Sequence, residues 1–119
     1  MLDIESFRTY CLSKKAVTES FPFDEYTLVF KVGGKMFALI SLDTPDLSVN
    51  LKCDPERAIE LREEYPENIL PGYHMSKTHW NTVIPAGKIS TILFKELTDH
   101  SYELVVKSLT KKVRDEFNL

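Results

Sequence analysis

The sequence predicts one compact α+β domain spanning residues 1–119, in which helices pack on a mainly antiparallel sheet of five strands. Three observations support this prediction. A chain of 119 residues that is 43% hydrophobic suits one domain with a core of its own. Strand-like segments follow one another instead of alternating with helices, in the predicted order α-β-β-β-β-α-β-α-α. Gly33-Gly34 joins two of these segments and is typical of a tight antiparallel hairpin.

The first element is predicted to be a helix over residues 3–13. Asp3 is a suitable N-cap residue, because its carboxylate accepts hydrogen bonds from the free backbone N–H groups of the first turn. Phe7, Tyr10 and Cys11 then recur at helical spacing, which indicates one buried side.

Four strands are predicted next, over residues 17–21, 26–32, 35–40 and 47–53. The first is a weak candidate that ends at a proline. The second is rich in β-branched and aromatic residues, which fit a pleated surface. In the fourth, Leu47, Val49 and Leu51 alternate with polar residues, and this alternation is typical of a strand with one buried side.

A second helix is predicted to begin at Asp54-Pro55 and to end at Pro66, because an N-cap residue followed by proline is a typical helix start. Residues 66–79 show no clear periodicity and are predicted to be irregular. Residues 80–84 form the fifth strand candidate, which ends at Pro85.

Two helices are predicted to complete the chain. The buried side of the first comprises Ile89, Ile92, Leu93 and Leu97. Asp99 is predicted to be the N-cap residue of the second, in which apolar residues keep helical spacing as far as Val113.

The composition excludes several classes of protein. Fifteen basic and eighteen acidic residues give a net charge of −3, which excludes a histone-like polycation. Cys11 and Cys53 form no CxxC pair, so no zinc knuckle or thioredoxin-type centre is expected and both thiols are expected to be reduced. The acidic N-terminus is unlike a signal peptide, and no apolar run approaches the roughly 20 residues that a membrane helix needs. A cytoplasmic protein with no membrane contact is therefore expected.

Charge is unevenly distributed along the chain. The formal charge is −2, −3 and +2 over residues 1–51, 52–76 and 77–119. The acidic excess falls on the second helix, so a sheet face that this helix leaves uncovered is expected to be neutral or basic. The candidates for such a surface are Lys31, Lys35, Lys52 and Lys77. Alternatively, these are ordinary solvated lysines.

The segment 71–83, PGYHMSKTHWNTV, contains two of the three histidines and the only tryptophan. Nucleic-acid contact is a reasonable use of it, because lysine pairs with phosphate, polar side chains donate hydrogen bonds and aromatic rings stack on bases. The candidate residues are His74, Lys77, His79, Trp80 and Asn81. The alternatives are a core position for the tryptophan and a loop-fixing role for the histidines.

Other chemistries fit this sequence less well. His74 and His79 are five residues apart, which places them on different sides of a helix or strand, and no carboxylate or thiol lies nearby in sequence; no metal site is expected. Ser76 lacks an elbow motif and a nearby acid, so nucleophilic catalysis is not expected. Gly33-Gly34 lacks the spacing of a phosphate-binding loop, and no cofactor is expected.

The segment 74–83, HMSKTHWNTV, resembles the signature H-(M/L)-N-K-x-H-W-N-T-V of the MmcQ/YjbR family of small bacterial proteins. The resemblance covers nearly the whole chain, since it extends to FPFD at residues 21–24, VGGKMFA at 32–38 and SYELVV at 101–106. Ser76 stands where the family usually has asparagine, so it keeps a hydrogen-bonding group but loses the amide.

The resemblance implies an α+β fold like that of type III secretion chaperones. It also implies DNA binding, because family members are commonly described as DNA-binding proteins with β-hairpins as wings. Lys31 and Lys35 would then belong to a wing. The family's signature surface would comprise His74, Lys77, His79, Trp80 and Asn81.

The resemblance favours a non-enzymatic module that binds double-stranded DNA, although no arginine lies near residues 74–83 in sequence. The residues alone favour this function no more than the alternative. The alternative is a protein-interaction or chaperone-like module whose sheet binds a segment of a partner. A small enzyme or ligand binder that uses His74 and His79 would require a pocket on which both side chains converge.

Overall fold

The computed structural model describes residues 2–119, which form one six-stranded antiparallel sheet and four helices. In chain order the elements are α1 (Ile4–Leu12), β1 (Val17–Ser20), β2 (Thr27–Val32), β3 (Lys35–Ser41), β4 (Val49–Lys52), α2 (Pro55–Glu64), β5 (Ile69–Pro71), β6 (Trp80–Val83), α3 (Thr91–Ser108) and α4 (Lys111–Phe117). The strands lie in the order β1-β2-β3-β4-β6-β5. The α+β prediction is confirmed.

The predicted count of five strands is one too low. Residues 66–79 were expected to be irregular, but Ile69–Pro71 forms the short edge strand β5 and pairs with β6, with Ile69 opposite Val83. Three residues are too few to show a period of two, and a proline argues against a strand in sequence. Proline is compatible with an edge position, because only one side of such a strand needs a ladder of hydrogen bonds.

Asp99 is not an N-cap residue, contrary to the sequence prediction. Helix α3 begins after Ser90, whose hydroxyl accepts the Leu93 N–H, and continues through Asp99 to Ser108. The Asp99 carboxylate instead accepts a hydrogen bond of 2.6 Å from the Tyr10 hydroxyl and pairs with the Lys14 amine. This residue therefore ties α1 to the middle of α3.

Ile92 is also placed differently from the prediction, since it is 84% exposed. It lies two residues before the buried Phe94, which is about 200° around the helix axis, so it faces solvent. The second C-terminal helix is α4, which begins only after Thr110.

The core lies between one face of the sheet and α1, α2 and α3. Each of these helices contributes buried apolar side chains to it, and the Phe7 ring of α1 contacts both Phe30 of β2 and Phe94 of α3. Cys11 and Cys53 belong to this core as free thiols. Burial raises the pKa of Cys11 to about 12 and that of Cys53 to about 11, so both thiols stay protonated near neutral pH.

A β-bulge in the β2–β3 pair interrupts the ladder next to Lys31. The register shifts between Phe30 and Lys31, and Phe37 is the extra residue on β3. The buried Ser101 of α3 compensates for the interruption: its hydroxyl donates to the Phe37 carbonyl at 2.6 Å and accepts from the Lys52 N–H at 2.8 Å. One side chain thus satisfies two backbone groups on neighbouring strands.

The Gly33-Gly34 turn of the hairpin packs against the corner between α3 and α4. Both glycines have positive φ, 58° and 85°, as a tight hairpin turn requires. A Cβ atom on Gly33 would lie 2.6 Å from Leu109 Cδ1, whereas one on Gly34 would meet nothing within 4 Å. The hairpin is therefore covered at its tip rather than projecting freely.

Candidate functional site

Within residues 2–119, the helices contribute their buried apolar side chains to one face of the sheet only; we call the second face the open face. Side chains alternate along a strand, so the residues that face away from the core line this surface. They include Thr27, Val29, Lys31, Met36, Leu39, Ser41, Asn50, Lys52, Trp80 and Thr82. Val29, Leu39 and Trp80 form a small apolar cluster of their own in its middle, with Met36 and Met75 against them.

The loop at residues 72–79 folds back over the open face and is held there by a small network of hydrogen bonds. The Tyr73 carbonyl accepts from the Asn50 amide at 3.0 Å, and the Tyr73 N–H donates to the Thr82 hydroxyl at 2.9 Å. That hydroxyl donates in turn to the Asn50 side-chain oxygen at 2.5 Å. Sequence analysis did not single out Asn50; its polar position in an alternating strand was the available signal.

Trp80 and Asn81 lie beneath this surface rather than on it. Gly72 lets the loop approach closely, since a Cβ there would lie 2.7 Å from Trp80 Cβ. Trp80 is 8% exposed and belongs to the apolar cluster against which Met75 packs, so the ring occupies the core-like position that was the alternative for it. Asn81 points to the other side of the sheet, where its amide donates to the Ala58 carbonyl of α2 at 3.4 Å. Neither side chain is accessible to a partner in this structure.

The four candidate lysines do not share one surface. Lys31 and Lys52 lie on the open face. Lys35 points to the helical side instead, where its amine donates to the Ser108 carbonyl at 3.4 Å. The two lysines assigned to the wing are therefore on opposite sides of the hairpin.

Lys77 is held by the loop that carries it, because its amine donates to the Gly72 carbonyl at 3.3 Å. Arg62 of α2 donates to the Lys77 carbonyl at 2.8 Å. An arginine thus lies beside the signature segment in space, although none does in sequence.

Further lysines gather near the hairpin turn, and we call this part of the molecule the hairpin end. The Gly33 turn packs at Leu109, and the exposed Lys107, Lys111 and Lys112 flank that contact in sequence. Only Lys111 among these three has an ion-pair partner in residues 2–119, namely Asp115 at 3.1 Å. Sequence analysis did not include these lysines, because only packing brings them to the hairpin.

The two histidines of the signature segment do not converge. His74 adopts a left-handed backbone conformation with φ 59°, and its ring lies 4.0 Å from that of Tyr73. His79 fixes the loop through its carbonyl, which accepts the Cys53 N–H at 2.8 Å. His74 lines the groove described next, whereas His79 does not. Within residues 2–119, no three His, Cys, Asp or Glu side chains form a group that could hold a metal ion.

A groove of about 490 Å³ opens on the open face, at the end of the sheet far from the hairpin turn. It lies between the loop at residues 72–79 and the β1–β2 connection. Its rim carries Phe23, Tyr26 and Tyr73, which are 63%, 55% and 68% exposed. Two carboxylates, Asp24 and Asp43, line it as well. In the sequence, residues 21–24 stand out only as part of the family pattern, so the groove is not predicted from it.

Asp24 fixes the β1–β2 connection at the groove. One of its carboxylate oxygens accepts the Tyr26 and Thr27 N–H groups, each at 2.8 Å. These hydrogen bonds, led by that from Tyr26, hold the pKa of Asp24 below its usual value near 3.8. The aspartate therefore organises the rim of the groove and keeps its negative charge there.

Residues 2–119 contain no helix with the length and apolar character required to cross a bilayer.

Comparison with known proteins identifies relatives of the chain. The family model described as YjbR matches residues 12–104. The uncharacterized protein YbdF of Escherichia coli O157:H7 is 39% identical over 108 residues, which are 91% of this chain and 88% of that protein. The uncharacterized protein YjbR of Escherichia coli strain K12 is 29% identical over 113 residues, or 95% of either chain.

Two solved structures are similar to this one. The crystal structure of the Deinococcus radiodurans protein DR2400 has a TM-score of 0.94 and 43% sequence identity, and the match covers 100% of this chain and 90% of that one. A Pseudomonas syringae protein has a TM-score of 0.71 at 24% identity, over 87% of this chain and 98% of that one, which is a likeness of fold. The family model covers most of the chain, and YbdF is similar over nearly its whole length. The chain therefore belongs to the YjbR family.

Proposed function

We propose that the protein is a non-enzymatic binding module that takes up a segment of a partner protein on its open face. One observation carries this proposal: Phe23, Tyr26 and Tyr73, each more than half exposed, converge on one groove. Exposed aromatic side chains contribute little to the core. In protein interfaces they are enriched at the buried centre, where they provide large contact areas.

The shape of the site supports the same proposal. Its volume of about 490 Å³ lies within the range of roughly 300–1,000 Å³ that is typical of binding pockets. The loop that forms one wall is fixed to the sheet through Asn50 and Thr82, so that wall is preformed. A preformed site saves the entropy that ordering a loop on binding would cost.

Peptide selection followed by NMR mapping tests this proposal. Random peptides displayed on phage are selected against the protein, and the best binder is titrated into ¹⁵N-labelled protein. We expect amide shifts around the groove and a loss of affinity of at least about tenfold in Tyr73→Ala, as for an interface anchor. Ile92→Ala is the matched control, because Ile92 is at least as exposed as Tyr73 but lies on α3, on the side of the sheet that carries the helices. Shifts confined to the helical side, or equal losses in both variants, would overturn the proposal.

DNA binding is the second candidate, and the gathering of lysines at the hairpin end favours it. Lys31 lies on the open face there, while Lys35 and Lys111 lie around the turn. Phosphates of a duplex would contact this end only, because the two aspartates of the groove repel them.

A duplex titration followed by fluorescence anisotropy tests the second candidate. The affinity is expected to fall with salt, by about 0.9 log unit per log unit of salt for each phosphate contact. The double variant Lys35→Ala/Lys111→Ala is expected to reduce that slope. Lys88→Ala is the control and is expected to leave the slope unchanged, because Lys88 lies in the connection between β6 and α3, away from the hairpin turn. Affinity no better than millimolar in low salt would remove this candidate.

A further inference from the structure

We propose that the groove selects a positively charged side chain, arginine or lysine, of the partner segment. This inference rests on the proposed function and specifies the chemistry of the partner. It combines three features of the groove: its aromatic rim, its two carboxylates without a basic partner and its apolar floor.

The rim of the groove carries three aromatic side chains. Phe23, Tyr26 and Tyr73 are all more than half exposed, and the ring of Tyr73 also contacts that of His74. A guanidinium or ammonium group within about 6 Å of such a ring is attracted by the negative face of the π system. An apolar ligand would use the same contact area, so the rim alone does not decide between the two.

The carboxylates decide in favour of a cation. Asp43 is exposed and has no hydrogen-bond or ion-pair partner in residues 2–119. Asp24 uses one oxygen for backbone N–H groups, and its other oxygen makes only a long contact of 3.4 Å to the Thr27 hydroxyl. Among the described residues 2–119, no lysine or arginine lines the groove to neutralise them. Two negative charges therefore remain available to a cationic ligand.

The floor of the groove strengthens this attraction. It includes Leu39, which is 5% exposed, and Met75, which packs over the apolar cluster of the open face. An ion pair or cation–π contact against apolar atoms is screened less by water than one on an open surface. The aliphatic stem of a lysine or arginine suits such a floor, because long basic side chains bury their stems and keep their charge at the rim.

The distribution of charge over the whole open face indicates which kind of ligand fits it. A phosphate-bearing ligand is repelled at the groove and attracted at the hairpin end, where Lys31 and Lys52 lie. A partner segment with a basic residue in the groove and an acidic residue toward the hairpin end would complement the negative charge of the groove and the positive charge of the hairpin end. We therefore assign the groove to a protein side chain and not to DNA.

Two capped amino acids test the inference directly. Acetyl-arginine methylamide is titrated against ¹⁵N-labelled protein beside acetyl-citrulline methylamide, which has nearly the same shape but no charge. We expect the arginine probe to bind in the millimolar range with shifts at Tyr73 and Met75, and the citrulline probe to bind at least about fivefold more weakly. Equal binding of the two probes would overturn the inference.

Two matched aspartate variants test whether the Asp43 carboxylate contacts the arginine probe. Asp43→Asn is expected to weaken binding of the arginine probe about twofold to fivefold, whereas Asp46→Asn, in the same loop but outside the groove, leaves it unchanged. Both residues are exposed, so both variants are expected to fold. Equal effects of the two variants would count against a local contact.

Three further results separate this inference from the proposed function. If selected peptides bind the groove but keep their affinity when every basic residue is replaced by glutamine, the inference fails and the proposed function stands. If the arginine probe binds but no peptide does, the proposed function fails. If putrescine, a free diamine, binds the groove more tightly than any peptide, or if duplex DNA shifts the groove amides, the assignment to a protein side chain is wrong.

Discussion

The two ends of the open face differ in charge and in what holds their side chains. At the hairpin end the charged side chains of the open face are Lys31 and Lys52, and the hairpin turn itself is packed against Leu109. At the groove end the charged groups are Asp24 and Asp43, and the aromatic rings beside them are more than half exposed. Contacts at the hairpin end therefore stabilise the fold, whereas the exposed aromatic side chains at the groove end contribute little to it. Substitutions at the two ends should accordingly have different consequences.

The largest loss of stability is expected from Gly33→Ala at the hairpin end. Alanine at positive φ costs about 1–2 kcal/mol, and its Cβ, 2.6 Å from Leu109 Cδ1, adds an overpacking cost of similar size. We expect a total near 3 kcal/mol in urea denaturation. Gly34→Ala is the control, because it has the same backbone cost and open space around its Cβ. Equal losses in the two variants would mean that the turn is not packed against the α3–α4 corner.

An intermediate effect is expected from Ser101→Ala. Removal of this hydroxyl leaves the Phe37 carbonyl and the Lys52 N–H without a partner in a buried position, which costs about 1–3 kcal/mol. The unfolding midpoint in urea should fall accordingly. Ser108→Ala, in the same helix but exposed, removes only the hydrogen bond of 2.6 Å from its hydroxyl to the Val105 carbonyl and should cost no more than about 1 kcal/mol. If Ser101→Ala lost no more stability than Ser108→Ala, water would be replacing the Ser101 hydroxyl at the bulge.

The smallest change in stability is expected at the groove end. Phe23→Ala and Tyr73→Ala should each alter the free energy of unfolding by no more than about 0.5 kcal/mol, because both rings are mostly exposed. The same variants should weaken peptide binding, as measured by the NMR titration. A loss of several kcal/mol would indicate that these rings stabilise the fold and would break the contrast between the two ends.

The sequence predicts the architecture better than it predicts the site, for physical reasons. Capping and periodicity are local signals, so the α1 N-cap at Asp3 and the Gly33-Gly34 hairpin are found where they were expected. Asp99 was misread because its partners, Tyr10 and Lys14, lie far away in sequence. An aspartate within an uninterrupted helix looks like a cap until its long-range contacts are known.

The groove depends on long-range contacts even more than the position of Asp99 does. Its two walls come from the β1–β2 connection and from the loop at residues 72–79, which only the folded sheet brings together. The signature segment drew attention to Trp80 and Asn81, yet both are buried. Of the five candidate residues in that segment, His74 is the one that lines the groove, beside Tyr73, which immediately precedes the segment.

The position of Trp80 has a consequence for experiment. The only tryptophan of the chain belongs to the apolar cluster against which Met75 packs, and Met75 lies in the loop that forms one wall of the groove. The emission of an indole shifts to longer wavelength when water reaches it, so any displacement of this loop changes the intrinsic fluorescence of the protein. The molecule thus carries its own optical reporter, and ligands can be screened for opening or closing the groove without a label.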